Sequence, residues 1–400
     1  MEFTHNLTDF EYDIVICGAG PAGLNAVRTL QLQSPTPLKI ALLDKRDPWR
    51  EPVACAEAVH KGGLYKLTEV DEDWIRSTID GVKLISPNGT RVKYTKEDSG
   101  LILDRALMHY RLALRCKEAG AQCHFRSRVL SISPLNEGKR KIKIVRDDQE
   151  ITLTATSVID ASGAGPSITK QADEPTLLET HFDVEPAVFG LVKGIACETN
   201  YIEMFFGHHY APGGYAWVFP RDEEYVNVGI CVGREYLKSH PPRKMFQKFV
   251  ESYGEGVEAG TLHGGPIACG QPREPLASNG LIKTGDAADM VNPISRAGIL
   301  EAMYGGKKAA EYCLKYLDDP TGDHSINAEE YLNDWMKHKG FGHEKLAKAK
   351  SAFAKIDDKS LDKAAQKLVK IPDDKRTMWR ILWATVITQP KLLWQMRSIL

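Results

Sequence analysis

Gly18, Gly20 and Gly23, within YDIVICGAGPAGLNAVRTLQLQ, have the spacing GxGxxG. The first permits a tight turn, the second lets backbone approach a pyrophosphate, and the third lets a helix pack against the preceding strand. A pyrophosphate set there meets the free N–H groups and the positive dipole of the helix start. Asp44, about 20 residues further on at the end of LKIALLDKR, suits a ribose hydroxyl pair, and its charge argues against a 2′-phosphate. A second constellation lies past the middle of the chain, in PGGYAWVFP from Pro212 to Pro220. Tyr215, Trp217 and Phe219 alternate, so an extended strand projects all three rings from one face and Ala216 and Val218 from the other. Such a face is either packed core or one wall of an apolar slot.

Positioning these groups takes further elements. ATSVIDASGAGPS reads as a buried strand ending in Asp160 and a small-residue turn that contains Gly163. NGLIKTGDAADMVNPISRAGILEAMYGGKKAAEYCL reads as a strand, the Gly285-Asp286 pair, a loop, and a long helix from about Gly298. Small residues at Gly285-Asp286-Ala287-Ala288 suit backbone that approaches a cofactor, and Asp286 can accept from a hydroxyl. Between 177 and 270 the βαβ rhythm gives way to strands separated by turns, an antiparallel layer that carries the aromatic stripe. From about 320 onward the chain reads as helical.

Bulk properties narrow the partners. With 52 basic and 53 acidic residues the net charge is −1, which gives no global electrostatic case for nucleic acid. The eight cysteines are scattered without CxxC or metal-ligand spacing, and MEFTHNLTDF lacks the basic and apolar regions of a signal peptide. The expectation is a reduced, cytoplasmic protein with no metal. No run approaches the roughly 20 apolar residues of a membrane helix. The end, KRTMWRILWATVITQPKLLWQMRSIL, carries Lys375, Arg376, Arg380, Lys391 and Arg397 without an acid, and Trp379, Trp383 and Trp394. Helices of that kind suit a lipid surface or a cap over a substrate slot, and the two are compatible.

The GxGxxG, the D-x-S-G turn and the GDAA together resemble the FAD-binding fold of the p-hydroxybenzoate hydroxylase group, with LILDRALMHYRLA matching its D-R segment. Pro212, Tyr215, Trp217, Phe219 and Pro220 reproduce the PxxYxWxFP motif of the geranylgeranyl reductase family. In EPVACAEAVHKGG, Cys55 and Glu57 stand at the places of that family's C-G-E segment, and GDAADMVNPISRAGI is similar to its loop over the flavin ring. The resemblance spans about residues 12 to 315, and only the aromatic and cysteine motifs are selective, because hydroxylases and halogenases share the rest.

What the resemblance implies is an α/β (α+β) chain. A Rossmann-like FAD-binding domain would be formed by 1–176 plus 271–318, with 60–100 a candidate for the substrate side. An antiparallel substrate domain follows at 177–270 and a helical region at 319–400. It implies FAD-dependent saturation of isolated C=C bonds in a geranylgeranyl or polyprenyl chain by hydride from reduced flavin N5. Such a chain offers no hydrogen bonds, so its slot must be apolar and aromatic. FAD would be surrounded by Gly18, Gly20, Ala22, Gly23, Asp44, Lys45, Cys55, Arg105, Val129, Asp160, Gly163, Gly285, Asp286, Gly298 and Ile299. Cys55 and Glu57 are the catalytic candidates, and Tyr215, Trp217, Phe219 and His209 the substrate candidates. With one GxGxxG, the electron donor is NAD(P)H visiting transiently or a ferredoxin-like protein. An aromatic monooxygenase or halogenase remains the alternative enzyme, and a flavin redox sensor or carrier the alternative of another class. The chain departs from the pattern at Ala56, Ala58 and Ser295-Arg296-Ala297, where glycines are usual. If those positions need positive φ, the alanines would be strained. Arg296 would serve the flavin, a diphosphate head group, or solvent.

Overall fold

The computed structural model describes residues 10–49, 53–170, 183–272, 275–323, 325–338, 342–377 and 380–381, together with Phe3, Leu7 and Ala172. The chain forms two compact units. The first comprises Met1–Glu51, Ala106–Val184 and Ala268–Glu344, and the second Pro52–Arg105, Glu185–Ile267 and Lys345–Leu400.

The first unit is built on β1 (Glu11–Cys17), β2 (Ile40–Leu43), β6 (Gln122–His124), β7 (Arg128–Ile132), β8 (Arg140–Arg146), β9 (Gln149–Asp160), β16 (Ala277–Ser278) and β17 (Leu281–Lys283). Its sheet runs β16-β17-β9-β1-β2-β6, with β8 pairing β7 and β9. The pairs among β17, β9, β1, β2 and β6 are parallel. Continuous apolar runs such as IVIC and IALL form these strands because a parallel sheet is covered on both faces. Helix α1 (Pro21–Gln33) starts with Pro at its first position, where a missing N–H costs nothing. It packs against α5 (Ile299–Asp318), with Asn25 Nδ2 donating to the Met303 carbonyl at 2.6 Å. Helices α3 (Arg105–Glu118) and α6 (Ser325–His338) complete the helices assigned here.

The second unit holds β3 (Ala58–His60), β4 (Ile75–Ile85), β5 (Arg91–Leu103), β10 (Val184–Lys193), β11 (Tyr201–Phe206), β12 (Tyr215–Pro220), β13 (Val226–Cys231), β14 (Glu258–Ala259) and β15 (His263–Ala268). The sheet order is β14-β10-β13-β12-β11-β4-β5-β3, and β15 pairs β10. One pair departs from the antiparallel layer read from sequence: β11 runs parallel to β4, Tyr201 opposite Gly81. The segment 52–105 therefore joins this sheet, a partnership across more than 100 residues that local periodicity does not encode. One sheet face packs on α4 (Pro242–Glu251), whose Phe246, Phe249 and Val250 at i, i+3 and i+4 meet Ala216, Val218, Val228 and Ile230. Short α2 (Lys61–Tyr65) follows β3, and most of α7 (Gly342–Phe353) belongs to this unit.

Helix α8 (Asp358–Val369) belongs to the second unit and is clamped to sheet turns by two carboxylates one helical turn apart. Asp358 accepts from the His208 and His209 amides at 2.6 and 3.1 Å, and Asp362 from the Asn88 amide at 2.9 Å. Arg376, counted above in the basic end, is buried and donates to the carbonyls of Lys93, Leu368, Val369 and Ile371. Trp379, Trp383, Pro390, Lys391, Trp394 and Arg397 lie outside the described residues.

Candidate active site

In the first unit three turns leave the same end of the parallel strands. Cys17 is in register with Asp160, and Asp160 with Lys283, so the turns at Gly18, Ala161 and Gly285 start level with one another. Ligands of open α/β sheets bind at this carboxyl end. Gly18 has φ +120, and a Cβ there would stand 2.2 Å from the Ala161 carbonyl oxygen. A Cβ at Gly23 would stand 1.8 Å from the Gly18 carbonyl oxygen, so that glycine seats the helix on its turn. Gly20, by contrast, faces open space and caps α1 without a side-chain hydrogen bond. Asp44 braces the turn, accepting from the Ala19 amide at 2.8 Å and the Arg46 amide at 2.9 Å. Its remaining lone pairs are those a ribose would use.

Asp160 is fully buried; its Oδ1 accepts from the Ser162 amide, while Oδ2 meets no hydrogen-bond partner among the described residues. Gly285, at φ +64, opens the GDAA turn, and a Cβ there would press on Ala22 and Ala302 at 3.0 and 3.4 Å. Gly298 caps α5 at Ile299 and lies beside Asp286. An open backbone face, an uncapped helix start and a partnerless buried carboxylate oxygen fit a dinucleotide cofactor. Lys45 is exposed, and Val129 is half-buried against the core under β7.

The second unit gathers the rings and the polar candidates. Tyr215, Trp217 and Phe219 share a buried cluster with Ile79, Ile102, Phe189 and Cys231, bordered by half-buried Ile202, Met204 and Phe206. Ring centroids run 6.1 Å from Tyr215 to Trp217 and 6.3 Å on to Phe219. Trp217 lies across Gly229, where a Cβ would come within 2.0 Å of the indole. His209 is exposed, its ring against Tyr210 and its amide on Asp358; none of its described ring contacts is with the three-ring face.

Beside the rings stands a chain of charge. Cys55 Sγ accepts from Arg105 Nη1 at 3.1 Å and from the Glu57 amide at 3.2 Å. Glu57 is buried; its Oε2 is 3.1 Å from Arg221 Nε and 3.4 Å from Asn227 Nδ2. Arg221 also approaches Asp104 at 3.7 Å, and Asp104 is tied to Arg76. Burial pushes the Glu57 carboxyl up to about 7 although Arg221 and Asn227 pull the other way, because desolvating the anion outweighs two partners. Glu57 also carries positive φ, +68. Of the positions where glycines are usual, Arg296 has positive φ, +58, while Ala56, Ala58 and Ala297 do not; near Cys55 the left-handed residue is Glu57 instead. A non-glycine residue there costs about 1 kcal/mol, a cost held where surrounding contacts over-determine the turn. Arg296 Nη1 donates within its own loop, to Ile294.

Sequence reasoning passed over Asn227, Arg221 and Arg76, and gave Asp104, the acid of the D-R segment, no role of its own. The available signal was an asparagine inside the apolar run VNVGIC, on the same strand face as Gly229 and Cys231. The expected pair Cys55 and Glu57 is brought together, and Arg105, expected at the cofactor, is found on Cys55.

The geranylgeranyl reductase catalytic domain matches residues 183–264, and the lycopene cyclase protein family matches 13–183. A digeranylgeranylglycerophospholipid reductase of Methanosarcina acetivorans is 31% identical over 396 residues, 97% of this chain and 96% of the relative. The chain belongs to the geranylgeranyl reductase family. It is an FAD-dependent oxidoreductase acting on carbon–carbon double bonds. The Methanosarcina mazei reductase of the same name is 30% identical, covering 97% of this chain and 96% of its own. Among solved structures, a geranylgeranyl bacteriochlorophyll reductase-like protein from Thermoplasma acidophilum superposes with a TM-score of 0.87 at 23% identity, covering 98% of this chain and 99% of that one. A flavin-dependent brominase reaches a TM-score of 0.69 at 16% identity, covering 97% of this chain and 93% of that one, a likeness of fold alone. No helix among the described residues is long and apolar enough to cross a membrane.

Proposed function

We propose that this reductase saturates the isolated double bonds of geranylgeranyl chains carried on a glycerophospholipid, the substrate class in the names of its relatives. The observation that carries this reading is the Tyr215-Trp217-Phe219 face with Cys55, Glu57 and Asn227 at its border. FAD would be held by Gly18, Gly20, Ala22, Gly23, Asp44, Asp160, Gly163, Gly285 and Asp286, with Lys45, Val129, Gly298 and Ile299 around it. In its reduced form it supplies hydride. NAD(P)H or a ferredoxin-like protein would renew that form, and the basic segment beyond Arg376 would meet the membrane in which the lipid resides.

The residues of the second unit do the rest. An isolated alkene has no carbonyl to polarise it, so the rings must orient it and exclude water. One alkene carbon takes hydride and the other a proton. The Cys55 S–H bond breaks as that C–H bond forms, and the two N–H donors on Sγ face the charge left behind. Glu57 returns a proton to sulfur and takes one from solvent. The test is product mass: wild type adds two mass units per double bond to a digeranylgeranyl lipid, whereas Cys55→Ala and Trp217→Ala lose most of that gain while still binding FAD. Full saturation by both variants would refute the assignment.

A further inference from the structure

Asn227 is fully buried as the second residue of β13, on a face otherwise built of rings, glycine and cysteine. An amide buried among apolar groups is unfavourable unless both of its ends are bonded. Both are. Oδ1 accepts from Trp217 Nε1 at 2.9 Å; Nδ2 donates to the Cys55 carbonyl at 3.0 Å and faces Glu57 Oε2 at 3.4 Å. Its orientation is unambiguous, because an indole only donates and a backbone carbonyl only accepts. Rotating the amide by half a turn would set donor against donor and acceptor against acceptor. Aspartate offers no donor when ionised and leucine offers neither function.

The two partners come from distant stretches of the chain. Trp217 belongs to the ring face, and Cys55 and Glu57 to a turn 172 residues away in sequence from Asn227 at its Cys55 end. That turn is strained at Glu57, so something must hold it. Gly229 sets the depth at which the indole lies, and Asn227 pins its edge.

We propose that Asn227 is a positioning residue, one amide that keeps Trp217 in register with the Cys55–Glu57 turn. This rests on the reading above, in which the Trp217 face orients the alkene and the Cys55–Glu57 pair supplies its proton. A misplacement of about 1 Å at such a site costs about 100-fold in rate. Around Glu57 stand Arg221 from beyond β12, Asp104 and Arg105 at the end of β5, Arg76 of β4 bound to Asp104, and Asn227 of β13. Replacing Asn227 by aspartate keeps an acceptor for Trp217, removes the donor to the turn, and sets a second carboxylate against Glu57.

The experiment uses the full chain with FAD bound, as wild type, Asn227→Leu and Asn227→Asp. It reads kcat and KM for a digeranylgeranyl lipid, the iodoacetamide alkylation rate of Cys55 by peptide mass, and the infrared titration of the Glu57 carboxyl against a Glu57→Gln reference. Asn227→Leu should lower kcat by about 100-fold with a much smaller change in KM, and change Cys55 alkylation severalfold. Asn227→Asp should move the Glu57 titration and the alkaline limb of kcat together to higher pH. Should the leucine variant fail to fold, the aspartate variant decides. Unchanged Cys55 alkylation and an unmoved Glu57 titration in a folded Asn227→Asp protein would overturn the proposal, whatever its rate. Should wild type leave every prenyl lipid intact, the function reading falls alone, because alkylation and infrared titration still decide the positioning role.

Discussion

Replacing Glu57 by glutamine should flatten the pH dependence of stability. In the folded chain the Glu57 carboxyl titrates at about 7 against an ordinary value of 4.5, the increase arising from burial. Unfolded, the group gives up its proton near the ordinary value, so between the two values the native state binds more protons. Stability is then fully present below 4.5 and is lost as pH rises through about 7. At about 1.4 kcal/mol per unit, the difference amounts to about 3 kcal/mol between acid and alkaline limits. The assay is urea unfolding of the full chain at a series of pH values, followed by tryptophan emission. Wild type should lose about 3 kcal/mol more than Glu57→Gln over that window. Parallel stability curves for the two proteins would show that Glu57 is not held protonated by its surroundings, and the proton-donor role would fall with it.

Other perturbations separate the parts of the site. Gly229→Ala puts a Cβ within 2.0 Å of the Trp217 ring, which must leave Asn227; unfolding free energy should drop by about 2–4 kcal/mol and the tryptophan emission should shift, with an unchanged spectrum as the contrary result. Gly20→Ala meets open space, so apo-protein stability should hold within about 0.5 kcal/mol while FAD affinity by titration falls, whereas Gly18→Ala, at φ +120 against the Ala161 carbonyl, should lower both. Asp358→Ala removes the acceptor of two amides and should destabilise the second unit by about 2 kcal/mol in denaturant melts, with amide exchange at His208 and His209 accelerated.

The glycine and aspartate turns of the first unit were legible because their constraints are local. GxGxxG, the Asp160 turn and the GDAA turn each sit directly after a strand, so residue type and spacing carry them, and pairing only brings their ends level. The ring face was legible for the same reason, since alternation along one strand determines which side chains share a face. What the rings border was not. Asn227, Arg221, Asp104 and Arg76 come from strands and turns joined by long-range pairing, above all the parallel pairing of β11 with β4. An isolated VNV or RDEEY carries no mark of its distant partner. Near Cys55 the position of strain was likewise misplaced: counting glycines pointed to Ala56 and Ala58, while the turn places its left-handed residue at Glu57, where Arg221 and Asn227 can restrain it.

The most direct measurement of alkene reduction is anaerobic. The bound flavin is reduced with dithionite, excess reductant is removed, and a digeranylgeranyl lipid is added while the oxidised flavin absorbance is recorded. Return of that absorbance, with a gain of two mass units per double bond in the lipid, is the expected result. Reoxidation that occurs only when oxygen and an aromatic substrate are admitted, with the lipid unchanged, would contradict it and favour an oxygenating enzyme on the same fold.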